Sequence, residues 1–133
     1  MKKVTVDSSV IISSLLKQEP RHREALKIWE RVLSGKDLAI LPYSVLVEVT
    51  AAIRRRTGSE ELALQVKGEL MKIKAVSFAA LDEQSAAEAA DIAGKTGVRG
   101  MDALVIQVSK EFGSELITFD NEIIQKAGLF LKD

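Results

Sequence analysis

The chain has 133 residues, 47% of them hydrophobic and 29% charged, the balance of an ordinary globular domain and not of a disordered segment. Nineteen Lys and Arg offset nineteen Asp and Glu, so no overall cationic field gathers nucleic acid, and any nucleic-acid role has to rest on a local patch. With no cysteine and one histidine, His22, disulfide frameworks, thiolate zinc sites, cysteine nucleophiles and the paired-histidine zinc helix are all excluded.

Short β-rich runs alternate with longer helical patterns. Val4-Thr5-Val6, Leu38-Ala39-Ile40-Leu41, Ala75-Val76-Ser77-Phe78 and Leu116-Ile117-Thr118-Phe119 read as buried strands, with a last, weak one at Leu129-Phe130-Leu131. Helices are expected near 8–17, 22–34, 43–57, 59–73, 82–96, 101–112 and 120–127. Strands of this length separated by helices imply crossover units. The expected fold class is α/β: one domain with a parallel β-sheet of about five short strands, flanked by helices on both faces. No run approaches the ~18 apolar residues of a membrane helix, so the expectation is a cytoplasmic protein with no membrane contact.

Local signals agree with these boundaries. Asp82 is placed to cap the alanine-rich helix that follows, with Gly94 and Gly97 flanking its end. Gly58 follows Arg54-Arg55-Arg56-Thr57, which sets cations in a last helical turn, where the dipole favours them. Ala25, Leu26, Trp29, Val32 and Leu33 form one stripe, so Trp29 is a core residue, and His22 starts that helix. Phe78, Phe112, Phe119 and Phe130 occupy core positions, which leaves few stacking platforms for bases.

In open parallel sheets ligands bind beyond the carboxyl ends of the strands. Asp7 follows the first strand there and Asp120 the fourth, each also placed to cap the next helix. Glu48 sits at the margin of the apolar face of its helix, with Arg55, seven residues on and on nearly the same side, as a possible salt-bridge partner. Asp102 lies in the first turn of the helix carrying Met101, Leu104, Val105, Val108 and Phe112. Two like charges ~4 Å apart at an effective dielectric of ~20 cost roughly 4 kcal/mol, so four converging acids require a bound cation or a raised pKa. All-oxygen ligands select a hard ion, Mg²⁺ or Mn²⁺, and such ions serve phosphodiester hydrolysis.

Four segments then resemble, in order, the acidic motifs of PIN-domain ribonucleases: Val4-Thr5-Val6-Asp7-Ser8-Ser9-Val10-Ile11-Ile12, Leu46-Val47-Glu48-Val49, Gly100-Met101-Asp102-Ala103-Leu104-Val105-Ile106, and Leu116-Ile117-Thr118-Phe119-Asp120. The likeness spans residues 1–133 as one domain, at a size similar to VapC-type toxins of toxin–antitoxin pairs. It implies a Mg²⁺-dependent endoribonuclease, with Asp7 and Asp102 as central metal ligands and Glu48 and Asp120 completing the catalytic and metal-binding set. It gives Thr118 a supporting place beside the pocket, and implies a VapB-like antitoxin partner, whose apolar tail would lie along the early helices with Trp29 as a wall. A homodimer is expected, with the alanine-rich helix a candidate interface. Arg55 is the expected substrate contact within Arg54-Arg55-Arg56, and Lys17, Arg21 and Arg23 a second basic rim.

Other readings fit less well. A receiver domain needs paired acids after its first strand, where this chain has Asp7 followed by Ser8-Ser9. A dehalogenase-type phosphatase needs an aspartate where Ser9 stands, and nucleotide-binding glycine patterns are absent. The stronger alternative is a catalytically silent PIN fold acting as a binding or assembly subunit.

Overall fold

The structure, a computed structural model, describes residues 1–131, the last three by backbone alone. In chain order the elements are β1 (Lys2–Val6), α1 (Ser8–Leu15), α2 (His22–Leu33), β2 (Asp37–Pro42), α3 (Tyr43–Thr57), α4 (Glu60–Lys72), β3 (Val76–Ala79), α5 (Glu83–Thr96), α6 (Gly100–Phe112), β4 (Glu115–Ile117) and α7 (Asn121–Leu131). The four strands form one parallel sheet in the order β3-β2-β1-β4.

The core lies on both faces of the sheet. Val4, Val6 and Leu41 are fully buried in the strands and pack with Val10, Ile11, Trp29, Val45, Val49 and Ile53 from α1, α2 and α3. A second cluster joins Ala89 and Ile92 of α5 to Ala103 and Ile106 of α6 and Ile123 and Ala127 of α7. Each fully buried Val, Ile or Leu contributes about 1.5–3 kcal/mol relative to exposure. Trp29 is 5% exposed, the core residue its stripe implies.

Helix ends follow local chemistry. The Asp82 carboxylate accepts from the Ser85 amide while the Ser85 hydroxyl accepts from the Asp82 amide, a capping box. Gly58 closes α3 at φ 74°, a conformation that costs other residues, and its N–H donates to the Arg54 carbonyl.

The sheet has four strands, not about five. Leu129-Phe130-Leu131 continue α7 instead of pairing. Ile123 and Ala127, four apart, bury one face of that helix, a period that three apolar residues at its end do not reveal by themselves. Phe130, read as a core position, lies outside the residues whose side chains are described. The strand read as ending at Phe119 ends at Ile117, which leaves Thr118, Phe119 and Asp120 in a turn. Among the described residues no helix is long and apolar enough to cross a membrane.

Candidate active site

The order of the strands fixes where a ligand meets the sheet. From β1 the chain crosses outward to β2 and β3, then returns to the other side of β1 as β4, so the direction of crossover reverses between β1 and β4. Val6 pairs with Ile117 there, and the Asp7 amide donates to the Ile117 carbonyl at 2.9 Å. The next residues, Asp7 and Thr118, therefore meet at the carboxyl edge. Thr118 Oγ1 donates to Asp7 Oδ2 at 2.9 Å, although 111 positions separate them.

Asp7 stands at the N-cap position of α1 but its carboxylate makes no capping bond. Its Oδ2 accepts from Ser9 Oγ at 2.8 Å and from Thr118, and Oδ1 takes no hydrogen bond among the described residues. Ser9 Oγ also accepts from the Phe119 amide, and Thr118 Oγ1 from the Asp120 amide, so two hydroxyls tie the ends of β1 and β4 to one buried carboxylate. Asp120 behaves differently: its Oδ1 accepts from the Glu122 and Ile123 amides at 2.9 and 3.3 Å and caps α7. The capping role open to both acids holds for Asp120 and fails for Asp7.

Two helices bring the remaining acids. Glu48, half-buried on α3, accepts from Ser8 Oγ at 3.3 Å and does not pair with Arg55. Burial raises its pKa first, then the charge of Asp7; the Ser8 hydrogen bond opposes the shift, Asp102 adds to it and Arg99 opposes it. Asp102 is 9% exposed in the first turn of α6, and its Oδ2 is buried without a hydrogen bond. Burial raises its pKa first; Arg99 opposes this, and the charges of Asp7 and Asp120 add to it. These couplings set the four carboxylates in one electrostatic neighbourhood.

Its own cation is Arg99, which the sequence reading did not single out. Nε lies 3.4 Å from Asp102 Oδ2 and a terminal nitrogen 3.5 Å from Asp120 Oδ2, ion-pair distances too long for strong hydrogen bonds. Arg99 is the N-cap residue of α6, where a positive charge opposes the helix dipole, and its side chain is 78% exposed. Local helix chemistry gives it no reason to be there. The one sequence signal is its spacing three before Asp102.

A family model for the PIN domain matches residues 4–129. The chain belongs to the PIN domain family. No curated protein sequence matches it. Among solved structures, this PIN domain is similar to VapC20 of Mycobacterium tuberculosis, described as a sarcin-ricin loop cleaving toxin, with TM-score 0.78 and 17% identity over 92% of this chain and 93% of that one. FitAcB from Neisseria gonorrhoeae gives TM-score 0.68 and 16% identity over 93% and 92%. VapBC2 from Rickettsia felis, bound to a DNA fragment from their promoter, gives 0.65 and 11% over 93% and 92%.

The PIN domain's acids fit a hard divalent cation by donor chemistry: all four are oxygen ligands, and Asp102 Oδ2 is a buried charge-bearing atom with no hydrogen bond. Asp7, Glu48 and Asp120 nonetheless accept hydrogen bonds from other groups, Arg99 pairs with both Asp102 and Asp120, and among the described residues no three carboxylates or histidines are gathered as a ready metal cage. Arg55 is exposed on α3 with no ion pair or hydrogen bond among the described residues. His22 opens α2 and its Nδ1 sits 2.7 Å from the Ser13 carbonyl, a tie between helices.

Proposed function

We propose that this PIN domain is a metal-dependent endoribonuclease and the VapC-type toxin of a VapB-like antitoxin pair. The observation that carries the reading is Asp7: it occupies a cap position yet withholds its carboxylate from the helix, held by two hydroxyls beside three other acids. A domain built only for stability has no use for that arrangement, since the charges of Asp7, Asp102 and Asp120 act against one another. The fold shared with a toxin described as cleaving the sarcin-ricin loop supports RNA as substrate.

In this reading Asp7, Asp102, Glu48 and Asp120 hold Mg²⁺ or Mn²⁺. When bound, the ion supplies charge that activates water and steadies the leaving oxygen. Ser9 and Thr118 fix Asp7 Oδ2 and keep Oδ1 free for coordination. Burial and neighbouring negative charge raise the pKa of Glu48 and Asp102, a cost that a cation held between them would offset. Arg99 offsets part of the negative charge through Asp102 and Asp120.

Partner binding falls elsewhere. A cavity of about 210 Å³ between α1, α2 and α4 is walled by Ile11, Leu15, Trp29, Leu33, Val66 and Leu70, with Leu15 and Leu33 exposed. This surface suits the apolar tail of a VapB-like antitoxin, with Trp29 in its wall. The reading carries a homodimer in the cytoplasm with it, checked by sedimentation velocity.

The test is RNA cleavage with Mg²⁺ and with chelator. Asp7→Asn and Asp102→Asn should each lose at least about a thousandfold in cleavage while melting no lower than wild type, because like-charge repulsion falls. Full activity in either variant refutes the assignment. Among the described residues no carboxylate cage stands ready, which favours one second reading, a silent PIN-fold binding subunit. Melting with Mn²⁺ separates them: a working site raises the melting temperature by mass action, and a silent one does not respond.

A further inference from the structure

Beside Asp7 the surface opens into a cavity of about 380 Å³ whose walls include Ser9, Ser13, Glu19, Arg21, Arg56 and Phe119. It is continuous with the acid site, because Ser9 donates to Asp7 and accepts from the Phe119 amide, and Phe119 stands between Thr118 and Asp120. The Arg21 guanidinium lies over the Phe119 ring, 3.7 Å from its centroid. Phe119 is thus not simply a core residue: it packs against the core from the side and carries Arg21 on its outer surface.

Both arginines are held in place but not consumed. Arg21 pairs with Glu24 at 2.6 Å, and Arg56 with Glu19 at 3.2 Å, each guanidinium side chain 47% exposed. Exposed ion pairs of this kind contribute little, so a phosphate can replace a carboxylate at small cost. It then forms charge-assisted hydrogen bonds with a guanidinium already positioned. Residues 17–24 carry Lys17, Arg21 and Arg23 against Glu19 and Glu24, and α3 adds Arg56. This is a local cationic patch in a chain of zero net charge, directly beside an acidic crevice that repels RNA.

We propose that this cavity holds the nucleotide next to the scissile phosphate of a single-stranded RNA, its base stacked on the Arg21 guanidinium backed by Phe119 and its phosphate paired with Arg56. The inference rests on the ribonuclease reading and adds where the strand runs as it leaves the acids. Stacking on a guanidinium accepts every base, so this position tolerates sequence change, and specificity arises elsewhere.

The experiment measures anisotropy of a short 5′-fluorescein-labelled mixed-sequence oligoribonucleotide with the full chain in chelator, and cleavage of the same RNA with Mg²⁺. Arg21→Gln and Phe119→Leu should each weaken binding about tenfold and raise KM to match, with kcat changed less than about twofold. Arg56→Gln should lower the slope of log affinity against log salt by about one. Arg54→Gln, on the α3–α4 side of the same helix, serves as the control and should change neither. Arg21→Gln and Arg56→Gln replace exposed side chains, so they decide the matter even where Phe119→Leu melts early. Unchanged binding and KM in both overturn the proposal and leave the nuclease standing. A wild type that binds RNA through these residues but cuts none supports the cavity and overturns the nuclease.

Discussion

Arg99 Nε lies 3.4 Å from Asp102 Oδ2, a guanidinium mostly in water set against a carboxylate mostly out of it. No hydrogen bond of good geometry completes the pair, and the buried oxygen is left with charge compensation alone. The same guanidinium also reaches Asp120, so one cation is shared by two of the crevice's acids.

Replacement of Arg99 by glutamine removes a charge that competes with an incoming cation. Its exposure keeps the effect small, within the range of surface ion pairs. Mn²⁺ titration calorimetry should show about two- to fivefold tighter binding in Arg99→Gln, with Arg99→Lys near wild type. Weaker binding in Arg99→Gln would mean that Arg99 holds the acids in place for the ion and does not stand in its way.

Asp120 caps a helix and, in the proposed site, also holds the ion, and asparagine and alanine separate the two. Its Oδ1 caps α7, and Asn caps as well as Asp, whereas Ala loses about 1 kcal/mol. Asp120→Asn should therefore keep wild-type stability in chelator and Asp120→Ala should lose about 1 kcal/mol by urea unfolding. Both lose the negative charge, so Mg²⁺-dependent cleavage should fall in both. An active Asp120→Asn protein would reduce Asp120 to a helix cap.

Thr118 ties Asp7 to the Asp120 amide through one hydroxyl. Thr118→Val keeps the shape and removes both bonds, at about 1 kcal/mol of stability for an unsatisfied amide. Cleavage should drop about tenfold, because Asp7 then keeps only Ser9 as its guide. Thr118→Ser should restore both properties. A valine variant as active as wild type would show that Asp7 needs no support from the end of β4.

Much of this was legible in the sequence because the signals were local. Asp82, Gly58 and the buried stripe of α2 announce helix ends and faces through capping and period alone. The four acids stand out because strand ends and helix starts can be counted along the chain. What the sequence left open depends on distance in space. That Asp7 prefers Ser9 and Thr118 to its own helix follows from the β1–β4 register, which no single segment encodes. Glu48 finds Ser8 and not Arg55, since Ser8 reaches it from across the crevice. Phe119 looked like strand interior because it ends an apolar run, but β4 stops two residues earlier and the ring turns out under Arg21.

One contribution to acid stability lies at the opposite edge of the sheet. Asp37, 3% exposed at the start of β2, accepts from Arg31 Nε at 2.9 Å and a terminal nitrogen at 3.1 Å. The Arg31 hydrogen bonds hold its carboxyl below the usual range; burial opposes them, and the charges of Arg31, Lys2 and the N-terminal amine assist. A carboxylate depressed in the folded state binds its proton more readily once unfolded. Its stabilising contribution is therefore complete above the unfolded aspartate value, near pH 4, and is lost as pH falls through the lower folded value. Asp37→Asn removes that contribution at every pH, so its melting temperature should lie below wild type at pH 6. The gap should close as both are acidified below about pH 4. Melting curves taken across this range test the assignment, and a gap that stays constant down to pH 2.5 would place the acid sensitivity in other carboxylates.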